Sequence, residues 1–242
     1  MTALRATGRV DAAEVAGRLG VTTETVRRDL IDLEHQGLLR RVHGGAVPVG
    51  PLAYEPAVST RTGYAAEKAR IATAALAHLP AGGAVLIDAG STTARLAERF
   101  PADRKLTVYT NTLPIALALI DRPLLTVVVL GGRVRPLTLA GVDDWAVRAL
   151  GEINVDVAFL GANAISVERG LTTPDAAEAA VKRLMPASAR RRILLADHSK
   201  VGTVSLCKHA DLSDIDLLIT DAGLSRVGLD ALRAAGLEVE LA

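Results

Sequence analysis

The chain has 242 residues, 50% hydrophobic and 23% charged with a net charge of +1, the balance of an ordinary globular protein rather than a disordered or fibrous one. So small a net charge gives no whole-molecule field for nucleic acid, and any DNA-binding reading has to rest on a local motif. The single cysteine, Cys207, excludes an internal disulfide framework and a multi-cysteine zinc site, the 2% of aromatics argues against base-stacking platforms, and the strongest apolar run, 124–130, falls far short of the ~20 residues that span a bilayer. No basic, apolar, cleavable stretch opens the chain, so a cytoplasmic setting without a membrane partner is expected.

Asp11 followed by Glu14 reads as the capped start of a helix that turns Val15, Ala16 and Leu19 inward, and Gly20 ends it in a tight turn. Thr22 then caps a second helix in which Val26, Leu30 and Leu33 share a face, and Gly37 closes it. Two short helices joined through glycine have the shape of a helix-turn-helix. The free side of the second helix carries Thr23, Thr25, Arg27 and Arg28: threonine hydroxyls at a helix start bond phosphates, and arginine forks onto a guanine edge or grips a phosphate. Next comes a segment with Arg40, Arg41 and His43 before a glycine pair, the pattern of a β-wing. Residues 1–47 hold seven Lys/Arg against six Asp/Glu, so solvated arginines on a plain small helical domain fit the periodicity as well as a DNA reader does.

Pro48, Gly50, Pro51 and Pro56 mark a linker. An alanine-rich helix opens at 67–72, and short apolar strands are predicted at 85–88, 106–110, 125–130, 155–160, 192–196 and 217–220. Helices are predicted between them at 113–121, 143–150 and 175–189. Continuously apolar strands separated by helices imply an α/β domain with a mainly parallel sheet covered on both faces. The first strand runs through Asp88 into Gly90, Ser91, Thr92 and Thr93 at the start of a helix, where free N–H groups and hydroxyls form an anion cradle. Similar residues end the other strands: Thr110 and Asn111, Gly131 and Gly132, Gly161, and Asp197 with Lys200. Ligands in open α/β sheets sit beyond the carboxyl ends of strands, although ordinary turn chemistry selects the same residue types. Glu178 and Lys182 stand at the i,i+4 spacing of a plain helix salt bridge, with Asp175 beside them on a helix that could close over a ligand. The five histidines, at 35, 43, 78, 198 and 209, show no metal-ligand spacing, and neither a metal nor a cofactor is expected.

The stretch VTTETVRRDLIDLEHQGLLRRVHGGAVP closely resembles the winged helix-turn-helix signature of the DeoR family of bacterial regulators, in a match that is nearly unbroken over 10–48. The resemblance implies that the helix over 23–36 reads the major groove of operator DNA, with Thr22, Thr23, Thr25, Arg27, Arg28, Arg40, Arg41 and His43 as contact candidates. One departure is the first helix, for which 2–7 supplies barely one turn where the family usually has more. The span 67–221 resembles the family's effector domain, which is related in fold to ribose-phosphate isomerases. That likeness implies a phosphosugar loop of Asp88, Gly90, Ser91, Thr92 and Thr93, with Thr110, Asn111, Gly131, Gly132, Gly161 and Lys200 completing the pocket.

The expected organisation is a winged helix-turn-helix domain over 1–47, a linker over 48–62 and a sugar-phosphate-binding domain over 63–242. The expected function is that of a repressor, acting as a homo-oligomer (dimer or tetramer), which a phosphorylated sugar releases from DNA. The Arg/Ala-rich texture resembles actinobacterial members linked to fructose uptake, which implies fructose 1-phosphate, with tagatose or galactose phosphates as alternatives. A second reading is a sugar-phosphate isomerase-like enzyme using Asp88, Asp197 and Lys200 as acid and base, although an isomerase has no need of a winged-helix signature. A plain interaction scaffold, the third, accounts for neither half.

Overall fold

The computed structural model describes residues 3–4 and 9–242, so most of the short segment expected over 2–7 lies outside the described residues. Strand β1 (Val10–Asp11) leads into helix α1 (Ala12–Leu19), capped by the Asp11 carboxylate, which accepts the N–H groups of Ala13 and Glu14. Gly20, at φ 67°, ends it in the left-handed conformation that glycine adopts without a Cβ clash. Helix α2 (Thr23–His35) starts at Thr22, whose hydroxyl accepts the N–H of Thr25. It closes with paired bonds from Gly37 N–H to the Glu34 carbonyl (2.9 Å) and from Leu38 N–H to the Leu33 carbonyl (3.0 Å), a Schellman cap. Strands β2 (Leu39–Val42) and β3 (Gly45–Pro48) form the wing, turning through His43 and Gly44, and β3 pairs with both β1 and β2. A small core of Leu4, Ala12, Ala16, Val26, Leu30, Leu39 and Ala46 holds the module together.

The linker is more ordered than its Pro/Gly content suggests. It has helical turns at Pro51–Ala53 and Val58–Thr60, and between them Glu55 is 2% exposed. Helix α3 (Ala65–Ala75) follows, then β4 (Gly83–Ile87), α4 (Ser91–Glu98), β5 (Leu106–Thr110), α5 (Leu113–Leu119) and β6 (Leu125–Val129). An arm built from β7 (Arg133–Val134) and β8 (Gly141–Val142) precedes α6 (Asp144–Gly151) and β9 (Val155–Gly161). Two short strands, β10 (Ala164–Ser166) and β11 (Gly170–Thr173), come before α7 (Ala176–Leu184) and β12 (Ala189–Leu195). The chain finishes with β13 (Cys207–Ala210), β14 (Leu217–Thr220), α8 (Arg226–Ala234) and β15 (Glu238–Leu241).

The main sheet has seven strands in the order β15-β14-β12-β9-β4-β5-β6, every neighbouring pair parallel, as the apolar runs predict. Successive residues of β4 alternate between two cores, Val85 and Ile87 packing with Phe159 and Leu96 on one face, Leu86 with Leu160 and Leu194 on the other. That two-sided burial is why these strands lack polar alternation. The predicted helix at 175–189 is shorter than its pattern: α7 ends at Leu184, Pro186–Ser188 turns, and Ala189 is already in strand. Proline cannot continue the ladder of helical bonds, and it stops the helix there. From β4 the chain winds outward through β5 and β6, then returns to place β9 on the other side of β4. The carboxyl ends of β4 and β9 therefore flank the point where the winding reverses, where a crevice opens.

Candidate functional site

At that crevice the backbone of β4 leaves through Asp88 and Gly90 into α4. No side chain caps the α4 start, and its first helical bond, from Ala94 N–H to the Gly90 carbonyl, leaves the N–H groups of residues 91–93 unclaimed within the helix. Ser91, Thr92 and Thr93 open onto a cavity of about 390 Å³, within the range of roughly 300–1,000 Å³ usual for small-ligand sites. Gly161 from the end of β9 and Lys200 from the turn after β12 complete this wall, together with Lys68 of α3. Lys68 is buried and gives two of its protons to the carbonyls of Arg61 (3.1 Å) and Gly63 (2.7 Å). Desolvation holds its ammonium below the ordinary lysine range; Asp197 opposes that shift, while Lys200, Arg61 and Arg95 add to it. A cationic wall beside unclaimed backbone N–H groups is an anion site.

Glu178 and Lys182 of α7 also line the cavity, each held in an ion pair. Asp88 of the expected phosphosugar loop does not itself line the cavity: 1% exposed, it accepts the Gly161 N–H (2.9 Å) and pairs with Lys182, which also donates to the Gly161 carbonyl (3.2 Å). Burial pushes the Asp88 carboxyl up from its ordinary value, against the charge of Lys182 and the Gly161 hydrogen bond. One turn earlier Glu178 accepts from Thr138 and from Arg135 (2.7 Å). Burial alone would raise its carboxyl, yet the Lys182 and Arg135 charges and these two bonds hold it below the usual range. The helix salt bridge expected between Glu178 and Lys182 is therefore replaced by two separate pairs, because each side chain points off α7 toward a stronger, buried partner.

The other sequence-selected residues separate into groups. Gly90, Ser91, Thr92, Thr93, Gly161 and Lys200 meet at the cavity. Thr110 and Asn111 do not line it: the Thr110 hydroxyl donates to the Ile87 carbonyl (2.7 Å) and Asn111 Oδ1 accepts the Ala89 N–H (3.1 Å), bracing the loop from behind. Gly131 and Gly132 follow β6, an outer strand, and lie away from the cavity; their φ values of 78° and 95° serve the turn into the arm, where a Cβ on Gly132 would overlap the Val142 carbonyl. Asn163, at the strand end after Gly161, joins the first group in the lining, whereas sequence reasoning missed Lys68 and Thr138, one on a helix and one in a turn with no local pattern to select it.

On the winged module, Thr25, Arg27, Arg28, Arg40, Arg41 and His43 are all exposed, and Thr23 is half-buried. Thr22 serves as cap, its hydroxyl 2.8 Å from that of Thr25. Arg27 lies 3.7 Å from Glu24, a solvent-screened surface pair. Arg41 is engaged instead with Glu34 of α2, which accepts both its backbone N–H (2.8 Å) and its Nε (2.7 Å). The Glu34 carboxyl is held below its usual range, chiefly by that side-chain bond.

Among the described residues, no group of three or more His, Cys, Asp or Glu has the spacing of a metal site, and no helix is long and apolar enough to cross a membrane. The profile described as DeoR C terminal sensor domain matches residues 64–222, and that of the DeoR-like helix-turn-helix domain matches 1–50. An HTH-type transcriptional regulator, GlpR of Haloferax volcanii, is 38% identical over 93% of this chain and 88% of its own length. The putative aga operon transcriptional repressor of Escherichia coli O157:H7 is 34% identical over 98% and 90%, and the HTH-type transcriptional repressor GlcR of Bacillus subtilis 32% over 98% and 91%. Ribose 5-phosphate isomerase A of Methanocaldococcus jannaschii superimposes at a TM-score of 0.40 with 16% identity, over 55% of this chain and 52% of that one.

Proposed function

The chain belongs to the DeoR family of helix-turn-helix transcriptional regulators and is not an enzyme, and from that premise we propose that it is a repressor of a carbohydrate operon that a phosphorylated sugar releases from DNA. The observation that carries the effector half is the uncapped α4 start, which faces a cavity lined by Lys68 and Lys200 and by Glu178, itself paired with Arg135. A phosphate ester fits that polarity, with its phosphate on Ser91, Thr92, Thr93 and Lys200 and its hydroxyls toward Asn163, Glu178 and Lys182. A polyol lacking phosphate leaves the cationic wall unmatched.

On the DNA side, α2 lies in the major groove, with Arg27 and Arg28 reaching base edges or phosphates and Thr23 and Thr25 on the backbone. Arg40 and His43 bring the wing to the flanking phosphates. Two or more copies place paired helices on repeated half-sites, so the working form is a homo-oligomer. The effector prefers the arrangement that does not fit DNA, and it shifts the balance only by its difference in affinity for the two. Fructose 1-phosphate is the first compound to test, ahead of tagatose and galactose phosphates.

Fluorescence anisotropy of a labelled duplex from upstream of this gene, titrated with protein and then with these esters, tests both halves. Saturable binding reversed by one ester and by no free sugar is the expected result. A duplex bound no more tightly than scrambled DNA at moderate salt sinks the regulator reading.

A further inference from the structure

We propose that Glu55 is a positioning residue, whose ion pair with Arg135 carries the state of the effector cavity to the end of the DNA-reading helix; the proposal rests on the effector reading above. Arg135, only 12% exposed, projects from the arm and divides its guanidinium among three carboxylates. It meets Glu178 in the cavity wall at 2.7 Å, Asp175 at the cap of α7 at 3.3 Å and Glu55 in the linker at 2.8 Å. Glu55 is held further by Arg61 Nη2 (3.0 Å) and by Asn163 Nδ2 (3.3 Å), and Asn163 itself lines the cavity. Glu55 does not line it.

The other end of this chain of contacts is the cap of α2. The Glu55 carbonyl lies so close over Gly37 that any Cβ there would overlap it, and Ala57 N–H donates to the Gln36 carbonyl (3.2 Å). Leu137, two residues beyond Arg135, sits beside Gly37 and accepts the Val58 N–H on its carbonyl (2.7 Å). Thr138, the next residue, lines the cavity and donates to Glu178. Leu139 then holds a φ of 54°, a strained conformation for a branched side chain, pinned by bonds from Thr112 Oγ1 (3.0 Å) and Leu113 N–H (3.2 Å) to its carbonyl. One short arm thus touches the ligand space and the recognition-helix cap within four residues, 135–138.

The physical consequence follows from competition. Glu178 Oε1 already accepts from both Thr138 and Arg135. A sugar hydroxyl that donates to Glu178, or that takes the Asn163 amide, redistributes the donors on which Glu55 depends. Glu55 is then held by Arg61 alone, and a buried carboxylate short of one of its cations is costly where it stands. The linker must then move, and the Gln36–Gly37 cap moves with it. This supplies the difference in contacts between two states that any ligand-driven shift requires.

The test uses the full chain, the upstream duplex and a panel of fructose 1-phosphate, tagatose 6-phosphate, galactose 6-phosphate and inorganic phosphate, comparing wild type with Glu55→Gln. Wild-type DNA affinity should fall about 5- to 150-fold with the active ester. In Glu55→Gln that ratio should shrink to below about twofold while the ester still binds by calorimetry. A variant that keeps the wild-type ratio overturns the proposal and leaves the effector reading standing. Wild-type protein that holds its DNA against the whole panel overturns the effector reading and the proposal together. If Glu55→Gln does not fold, Glu55→Asp, which keeps the charge but draws it one methylene back from Arg135, carries the same prediction and the same refutation.

Discussion

In the winged module the arginines of α2 and Arg40 stand in solvent, whereas in the larger domain Lys68 and Lys182 are buried and Arg135 half-buried against carbonyls and carboxylates. The module's core is made of a few small and aliphatic side chains, while the larger domain packs both faces of a seven-stranded sheet. The contrast fits the two roles proposed above. A surface that grips phosphates gains by shedding loosely held counterions, so its charges are best left hydrated until contact. A pocket that discriminates among small polar molecules needs charges already fixed in place, which demands buried partners. Charge removal should accordingly cost the large domain its stability and the small one its affinity.

The severest challenge to that contrast is Lys182→Met, which leaves the Asp88 carboxylate buried without its cation. A loss of about 3–5 kcal/mol is expected, read as a large fall in melting temperature. A melting temperature near that of wild type would show that the buried pairs are dispensable, and the contrast would fail.

His209 sharpens the comparison through pH. Burial, reinforced by Lys182 and Arg183, lowers its pKa from 6.5 to about 3, so the folded chain keeps it neutral where the unfolded chain protonates it. Its contribution is complete above pH 6.5 and is lost as pH falls from there toward about 3. The slope in that window is about 1.4 kcal/mol per pH unit from this residue, and His209→Leu should flatten it in urea titrations run at a series of pH values.

The smallest change is expected from Arg28→Ala: DNA affinity falls by about 1–3 kcal/mol while the melting temperature stays where it was. An altered melting temperature would mean that α2 uses its outward face for packing, against its exposure.

How much of this was readable in the sequence depended on distance along the chain. The winged helix was legible because its caps and turns lie within a few dozen consecutive residues, as does the loop from Asp88 to Thr93. The strands of the main sheet announced themselves as apolar runs because both of their faces are buried. The pairing of Lys182 with Asp88 was not legible, since 94 residues separate them and the nearer Glu178 offered a local partner of the right spacing. Gly131 and Gly132 misled for a different reason: every strand end carries turn residues, but the cavity is lined from the ends of β4, β9 and β12 and not from those of β5 and β6. Strands of two to four residues, such as β7, β8, β10 and β11, are too short to display a period.

The bond between Glu34 and Arg41 has a bearing on how such a reader changes over evolutionary time. Because it fastens the wing to the helix by both backbone and side chain, the groove-facing and backbone-facing parts of the module shift as one tool. On the DNA-side reading proposed above, a lineage acquiring a new target sequence has Thr23, Arg27, Arg28 and Arg40 as adjustable teeth, while Arg41 is the rivet: replacing it alters the angle between helix and wing before it alters any base preference.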